Sequence, residues 1–241
     1  MTFTDYVFEF SSGLNKTAII DKKNISYSEL HCKILMISHN IKKINIVKED
    51  KILLISENSP FFIESYFGII RSGCTCVPLN PTLSKNDIEY IINSCNPKAI
   101  FIEKRFLDNM RSLINKDIKI VTEETLNSLL LDKECTNNVE EEIDSKNSVA
   151  VILFTSGSTA RPKGVMLTHH NLCHNTNSII EYLSLNREDR IEVVLPFYYC
   201  FGTSLFHTHL RVGGSLVINN KFMFPETVLD LSLIHISERA G

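Results

Sequence analysis

The chain lacks any uninterrupted apolar run close to the roughly 18 residues that a membrane-spanning helix needs, although 44% of its 241 residues are hydrophobic. It also lacks an excess of cations. The formal net charge of −3 gives no electrostatic reason to expect nucleic acid or an anionic membrane as a partner. Residues 1–10 have no basic segment and carry Asp5 and Glu9. We therefore expect no secretory signal and a cytoplasmic protein.

A paired cysteine framework is missing as well. The seven cysteines are an odd number, and those that fall in clear strand or helix patterns are Cys32, Cys74, Cys76, Cys95 and Cys173. Buried free thiols in a reducing compartment explain this distribution better than disulfides or a zinc site.

The eight histidines lack a metal-ligand signature. In the segment His169-His170-x-x-x-His174 two imidazoles have i, i+4 spacing, but no carboxylate or further ligand accompanies them. A zinc site would need that additional ligand. We interpret these histidines as a solvated helix face.

Strand and helix signals alternate along the first half of the chain. Ser26-x-x-Glu29 is a capping box before an amphipathic helix, Ser59-Pro60 begins a second helix, and Ser84 begins a third. Strand patterns occur between and after these helices, at 51–56, 74–79 and 98–102. This alternation predicts an α/β fold of mainly parallel sheets flanked by helices.

Composition changes between residues 132 and 148, where acidic residues are frequent and apolar ones are few. We expect an acidic linker or surface loop there, between a first α/β subdomain at 1–131 and a second α/β segment at 149–230. The elements predicted in the second segment are a strand at 149–154, a strand at 165–167, a helix at 168–183, a strand at 191–195, a helix near 203–212 and a strand at 215–218.

The most informative segment directly follows the apolar strand at 149–154. It reads Thr155-Ser156-Gly157-Ser158-Thr159-Ala160-Arg161-Pro162-Lys163-Gly164. Glycines that let the backbone approach closely, side-chain hydroxyls and the mobile ammonium of Lys163 suit a polyphosphate. An ordinary solvent-facing loop is the alternative. A Walker loop would need Gly-Lys-Ser/Thr at 162–164, where this chain has Pro-Lys-Gly, so a kinase or GTPase of that class is a poor match.

This run resembles the signature Thr-Ser-Gly-Ser/Thr-Thr-Gly-x-Pro-Lys-Gly of the AMP-forming adenylate enzymes. That family includes acyl-CoA synthetases, adenylation domains of nonribosomal peptide synthetases, and luciferases. Every fixed position matches except Ala160. Segments 57–81, 195–202 and 213–218 resemble further motifs of the family in the right order, so the resemblance covers most of residues 17–230.

The resemblance implies ATP-dependent activation of a small carboxylic acid as an acyl-adenylate, followed by transfer to a thiol of CoA or of an acyl-carrier protein. It implies ATP and Mg²⁺, with CoA as co-substrate. The residues implied in holding the phosphates are Thr155, Ser156, Gly157, Ser158, Thr159, Lys163 and Gly164, with Thr155 as a candidate Mg²⁺ ligand. Those implied in lining or shaping the acyl pocket are Tyr199, Phe201 and Gly202.

Three features limit which residue roles of the family apply to this sequence. Ala160 replaces a usual glycine, which would cost ~1 kcal/mol if the backbone there needs a positive φ. Tyr199 stands where many acyl-CoA synthetases carry a histidine, so the role of that imidazole does not transfer. Amino-acid-activating domains have an aspartate in the aromatic motif for the substrate ammonium, whereas no acidic residue lies between Leu195 and Gly202. This favours a simple carboxylic acid over an α-amino acid.

The later motifs of the family are not found in the sequence. These are the adenine-binding segment, the acidic Mg²⁺ ligand, the aspartate for the ribose hydroxyls and the mobile domain with the catalytic lysine. We expect an N-terminal part of the acyl-CoA synthetase-like fold, inactive alone, with the C-terminal half and lid domain missing. Residues 231–241 can be back-translated to a transposon end used in sequencing libraries, so we expect a non-native tail there. An adenylation domain that loads a carrier protein and a catalytically silent nucleotide-binding protein are the alternatives.

Overall fold

Ten strands are found in the computed structural model of the chain, which describes residues 1–129, 143–155 and 161–220. The strands are β1 (Thr17–Ile20), β2 (Ile25–Ser26), β3 (Lys51–Ile55), β4 (Thr75–Leu79), β5 (Ala99–Ile102), β6 (Lys119–Val121), β7 (Val149–Thr155), β8 (Lys163–Thr168), β9 (Arg190–Val193) and β10 (Ser215–Ile218). Eight α-helices occur in the same described ranges. They are α1 (Phe3–Phe8), α2 (Tyr27–Lys43), α3 (Pro60–Arg71), α4 (Lys85–Cys95), α5 (Lys104–Met110), α6 (Glu123–Leu129), α7 (His169–Leu183) and α8 (Cys200–Val212).

The strands form two mainly parallel sheets. The six-stranded sheet has the order β6-β5-β3-β4-β7-β8, in which β7 and β8 pair in antiparallel fashion and the other neighbours are parallel. The four-stranded sheet has the order β2-β1-β10-β9, in which β1 and β2 are antiparallel. The prediction of mainly parallel sheets flanked by helices is confirmed.

Each sheet combines strands from both sides of the segment 130–142. β7 joins the six-stranded sheet next to β4, and β10 joins the four-stranded sheet next to β1. The boundaries at 1–131, 132–148 and 149–230 stay a prediction. Most of the acidic segment, and all of the tail at 231–241, lie outside the described residues.

Side-chain caps fix the starts of the helices that position the candidate site. The amide of Glu29 donates to Ser26 Oγ, and Glu29 Oε2 accepts from the Ser26 amide at 2.8 Å, which completes the predicted capping box. The Ser59 and Ser84 hydroxyls cap α3 and α4 by accepting from the amides of Phe62 and Asp87, without a capping box. Thr168 caps α7 with a further capping box. Local sequence therefore sets where these elements begin.

Helix α8 begins earlier than the sequence suggested. It starts at Cys200, within the aromatic segment, rather than near Thr203. Tyr199 is its N-cap residue, and its side chain makes no capping hydrogen bond to the helix, so the usual sequence signal for a helix start is absent there. β9 also ends two residues before the predicted strand end, at Val193.

Alternate residues of the central strands belong to two different apolar clusters, one on each face of the six-stranded sheet. Ile52 and Leu54 of β3 face a core that joins both sheets, α2, α3 and α8. Leu53 and Ile55 face the opposite side, where they pack with α4. Since successive side chains of a strand point to opposite faces, β3 is buried on both sides. No helix in the described ranges is long and apolar enough to cross a bilayer.

The interpretation of the histidine segment as a solvated helix face is wrong for His169. Its side chain is buried, and its Nδ1 accepts a hydrogen bond from the Phe3 amide at 2.9 Å. Burial lowers the pKa of His169 to about 4. His170 and His174 are exposed. The first residue of α7 therefore anchors α1, a partner 166 positions away that no local pattern indicates.

The predicted buried thiols are confirmed at three positions. Cys74, Cys76 and Cys95 are buried thiols, and burial raises the pKa of the Cys76 and Cys95 thiols. Cys32 and Cys173 are half-buried thiols. These thiols fill the protein interior rather than pair in disulfides.

Candidate functional site

Four parallel strands of the six-stranded sheet, β5, β3, β4 and β7, end at one edge. The residues that follow parallel strands meet at such an edge, which is where open α/β sheets bind ligands. In this protein they are Glu103 after β5, segment 56–59 after β3 and Asn80 after β4, with Thr155 as the last residue of β7. This edge is the candidate site.

The predicted phosphate loop is the connection of a β-hairpin. Thr155 at the end of β7 pairs with Lys163 at the start of β8, and Phe154 pairs with Gly164. The Thr155 hydroxyl approaches the Lys163 carbonyl at 3.5 Å. The structure therefore brings Thr155, Lys163 and Gly164 together, while Ser156, Gly157, Ser158, Thr159 and Ala160 lie outside the described residues.

The side chains at both ends of this hairpin connection face solvent. Thr155 and Lys163 are exposed, and the Lys163 ammonium makes no ion pair within the described ranges. A hydroxyl and an ammonium side by side are suited to phosphate oxygens. The Thr155 hydroxyl is also the kind of hard oxygen that Mg²⁺ accepts as one of several ligands. The residues present thus fit a nucleotide phosphate with its metal.

Gly164 has a packing reason to be glycine. A Cβ atom at this position would stand 2.9 Å from Ile152 Cγ2 and 3.2 Å from Phe154 Cζ. Those side chains occupy the space beside the β8 backbone. The glycine thus allows the two strands of the hairpin to pack closely.

Arg161 attaches the β8 side of the connection to helix α4. Its guanidinium lies over the Tyr90 ring, 5.3 Å from the centroid. Contacts of this geometry stabilise by roughly 0.5–1 kcal/mol at exposed sites. Sequence reasoning missed Tyr90, because a tyrosine on an amphipathic helix carries no signal that it faces a loop 71 positions later.

The aromatic segment 195–202 follows β9 and lies at the same edge. Phe197 is fully buried against Phe62 and Phe206, whereas Tyr199 and Phe201 are 49% and 64% exposed. The Asn80 side-chain amide approaches the Tyr199 hydroxyl at 3.5 Å. Because Asn80 follows β4, the neighbour of β7, this contact brings the aromatic segment to the sheet edge that also carries the β7–β8 hairpin, here named the phosphate hairpin after its predicted role.

Gly202 is buried in the first turn of α8 and faces the backbone of Pro196. A Cβ atom at 202 would overlap the Pro196 carbonyl oxygen and stand 2.6 Å from its carbon. The Tyr199 amide donates to the same carbonyl oxygen at 3.2 Å. Of the three predicted pocket residues, Tyr199 and Phe201 are thus exposed to solvent, and Gly202 allows the close turn that presents them.

Asn58 links this segment to the six-stranded sheet, and sequence reasoning assigned segment 57–60 only a capping role. Asn58 Nδ2 donates to the Leu195 carbonyl at 2.9 Å, and Asn58 Oδ1 accepts from the Phe197 amide at 2.8 Å. Asn220, which follows β10, donates to the Asn58 carbonyl at 2.8 Å. One residue therefore connects the ends of strands from both sheets.

Two adjoining cavities open along this edge. The smaller, about 200 Å³, is lined by Glu57, Asn58, Val194, Pro196, Tyr198, Asn219 and Asn220. The larger cleft of about 900 Å³ shares four of those residues and extends past Ser59 and Arg105. Its volume is in the range of small-molecule sites. Burial raises the pKa of Tyr198.

Arg105 pairs with two carboxylates of the cleft, those of Glu57 and Glu103. Arg105 bonds to Glu57 at 2.8 Å and to Glu103 at 2.6 Å. Glu103 also accepts hydrogen bonds from the Ser56 hydroxyl and from the Glu57 amide. Within the described ranges, no three His, Cys, Asp or Glu side chains are grouped as a metal site. Glu57 and Glu103 of the cleft therefore form an ion-paired network with Arg105.

The fold that carries this edge is that of the acyl-CoA synthetase-like enzymes. The crystal structure of ATP-bound MatB from Rhodopseudomonas palustris matches with a TM-score of 0.85 at 24% sequence identity, over 96% of this chain and 48% of that one. The chain belongs to the AMP-binding enzyme family, whose model matches residues 11–235.

Curated relatives of the chain fall into two groups. 4-Coumarate–CoA ligase 1 of Arabidopsis thaliana is 28% identical over 92% of this chain and 44% of its own length. Nonribosomal peptide synthetase sidE of Aspergillus fumigatus is 30% identical over 85% of this chain and 10% of its own length. The chain thus spans less than half the length of these relatives, and both acyl-CoA ligases and peptide synthetases are among them.

Proposed function

We propose that the protein carrying this chain activates a carboxylic acid with ATP and transfers the acyl group to the thiol of CoA. The observation that supports this most strongly is the pairing of Thr155 with Lys163 at the ends of a hairpin connection, at the sheet edge that carries the aromatic segment. Membership of the AMP-binding family gives that arrangement its chemistry. We further propose that the reaction takes place in the cytoplasm.

The proposed reaction has two balanced steps. A carboxylate oxygen attacks the α-phosphorus of ATP, the bond to the bridging oxygen breaks, and pyrophosphate leaves. The thiol then attacks the acyl carbonyl, loses its proton to water and displaces AMP. Such phosphoryl chemistry depends mainly on positioning and on neutralising charge at the leaving group.

The phosphate hairpin would neutralise that charge. We assign Lys163 to the β- and γ-phosphate oxygens, together with the hydroxyls and amides of Thr155, Ser156, Gly157, Ser158, Thr159 and Gly164. Mg²⁺, held in part by the Thr155 hydroxyl, would supply further positive charge at the phosphates. The ammonium of Lys163 is exposed and makes no ion pair with the residues that the structure describes, so it is available to a bound pyrophosphate.

The aromatic segment would receive the acid. We assign Tyr199 and Phe201 to the lining of the acyl pocket, because they are the exposed aromatic side chains of this segment. Gly202 shapes it through its contact with Pro196. Glu57 is a carboxylate close to this segment, and it is bonded to Arg105. A substrate ammonium would have to compete with Arg105 for Glu57, which favours an acid without an α-amino group.

The direct test is acid-dependent exchange of labelled pyrophosphate into ATP by the complete gene product. A panel of butyrate, octanoate, 4-coumarate and malonate represents simple acids, and leucine and aspartate represent amino acids. We expect exchange with at least one simple acid, and AMP as the product when CoA is added. Formation of ADP, or exchange with the amino acids alone, would contradict the proposal.

An adenylation domain that loads a carrier protein is the second candidate. The 30% identity to a nonribosomal peptide synthetase supports it. The two candidates differ in the thiol that accepts the acyl group. Transfer to free CoA supports the ligase, whereas transfer only to a phosphopantetheinylated carrier protein supports the adenylation domain.

A further inference from the structure

Asn58 is a buried residue whose side-chain amide bonds to one short stretch of backbone. It is 6% exposed. Its Nδ2 donates to the Leu195 carbonyl and its Oδ1 accepts from the Phe197 amide, at 2.9 and 2.8 Å. The partners are 137 and 139 positions away in sequence. Asn58 therefore fixes two backbone groups on either side of Pro196.

Those two backbone groups need an amide partner. Phe197 is fully buried, so water cannot replace an acceptor for its N–H group. Asn58 Oδ1 is the acceptor that the described residues offer to it. Leu195 presents a carbonyl, which needs a donor. An asparagine supplies one donor and one acceptor at this spacing, whereas aspartate supplies acceptors only.

The Pro196 carbonyl contacts residues that we assign to the proposed acid pocket. The Pro196 carbonyl accepts from the Tyr199 amide at 3.2 Å and lies directly against Gly202. Tyr199 and Gly202 belong to the cap and the first turn of α8, and Phe201 lies between them. A shift of the Leu195–Phe197 backbone therefore moves the side chains that we assign to the acid.

We propose that Asn58 is a positioning residue for the carboxylic acid: it holds the backbone that presents Tyr199 and Phe201. This inference rests on the proposed function. Asn58 then affects the affinity for the acid through Pro196. It does not contact the nucleotide phosphates, because we assign the binding of those phosphates to the hairpin of β7 and β8.

The test compares Asn58→Ala and Asn58→Asp with Asn40→Ala in the complete gene product. Asn40 is half-buried on α2, and its amide donates to the Met36 carbonyl at 3.0 Å, so it matches the chemistry at a distant place. The loss of a hydrogen bond inside a protein corresponds to roughly a tenfold change in an equilibrium constant. For Asn58→Ala we expect the KM for the acid to rise about tenfold and the KM for ATP to stay within about twofold.

Asn58→Asp keeps the shape of the side chain and the acceptor for Phe197, and it loses the donor to Leu195. The carboxylate also repels the Leu195 carbonyl, so we expect the KM for the acid to rise at least as much as in Asn58→Ala, and whichever of the two variants folds gives the measurement. A purely structural role would lower the active fraction, and so kcat, and leave both KM values unchanged. That result, or an equal shift in Asn40→Ala, would overturn the inference.

Hydrogen exchange measured by mass spectrometry separates this inference from the proposed function. In Asn58→Asp we expect the amides of 195–203 to exchange at least tenfold faster while those of α2 and α3 are unchanged. The proposed function fails if the wild-type protein does not exchange labelled pyrophosphate into ATP in the presence of any of the carboxylic acids. Unchanged amide exchange in 195–203 would instead show that Asn58 does not hold this backbone, whatever the reaction.

Discussion

Gly202 lies so close to the carbonyl of Pro196 that no side chain fits between them. A Cβ atom at position 202 would overlap the carbonyl oxygen and lie 3.1 Å from the Phe197 Cα atom. Both neighbours are backbone, so neither can move aside by changing a rotamer. The first turn of α8 and the preceding loop are therefore held in contact by the absence of a side chain.

Replacing Gly202 with alanine should force this contact apart. We expect Gly202→Ala to lower the free energy of unfolding by about 1–3 kcal/mol, the usual cost of overpacking. Urea denaturation measures it. Gly13→Ala is the matched control, because a Cβ atom at Gly13 would meet nothing within 4 Å, and such a surface change stays within about 0.5 kcal/mol. Equal stability of the two variants would show that the loop adapts to a side chain at 202.

Buried histidines should make the fold sensitive to acid. His207 in α8 is fully buried, its Nε2 lies 2.9 Å from the Tyr66 hydroxyl, and burial lowers its pKa to about 3. The unfolded chain, with a histidine pKa near 6.5, takes up the proton first as the pH falls. The free energy of unfolding should therefore decrease progressively from about pH 6.5 toward pH 3, by up to about 1.4 kcal/mol per pH unit for each such histidine.

Urea denaturation at several pH values between 7 and 4.5 measures this slope. His207→Phe should reduce the slope by the contribution of one proton. Tyr66→Phe, which removes the hydroxyl partner and keeps the histidine, should lower stability and leave the slope close to that of the wild type. An unchanged slope in His207→Phe would mean that other groups control the acid sensitivity.

The contact between Arg161 and Tyr90 should stabilise the hairpin modestly. A double-mutant cycle of Arg161→Gln and Tyr90→Leu, read by urea denaturation, is expected to give a coupling of roughly 0.5–1 kcal/mol. Tyr90→Phe keeps the ring and should retain most of it. A cycle between Arg161 and Phe106, whose ring contacts Arg105 instead, should give no coupling. A coupling near zero for Arg161 and Tyr90 would remove α4 as an anchor of the hairpin.

The sequence predicts those parts of the fold that depend on near neighbours. The capping residues Ser26, Ser59, Ser84 and Thr168 and the apolar runs of β3, β4, β5 and β7 are read correctly, because caps and strand patterns are local. The predicted start of α8, near Thr203, was wrong because Tyr199 gives no capping signal. The sharing of both sheets by the two halves of the chain depends on long-range strand pairing, which no local pattern indicates.

The candidate site shows the same division. The motif identifies Thr155, Lys163 and Gly164, and the structure brings them together. The burial of His169 and the hydrogen bonds of Asn58 to the 195–197 backbone could not be predicted, because the partners of both residues are more than 130 positions away. An asparagine before a capped helix has the same local pattern whether or not it holds a distant loop.

The measurement that tests the central proposal most directly is the effect of Lys163→Ala on acid-dependent exchange of pyrophosphate into ATP by the complete gene product. Lys116→Ala, at an exposed lysine remote from the hairpin in sequence, is the control. We expect the rate of exchange to fall at least about a hundredfold for Lys163→Ala, as for the loss of a charged group that stabilises a transition state, with unchanged stability toward urea. An exchange rate equal to that of Lys116→Ala would contradict the assignment of this hairpin to the nucleotide phosphates.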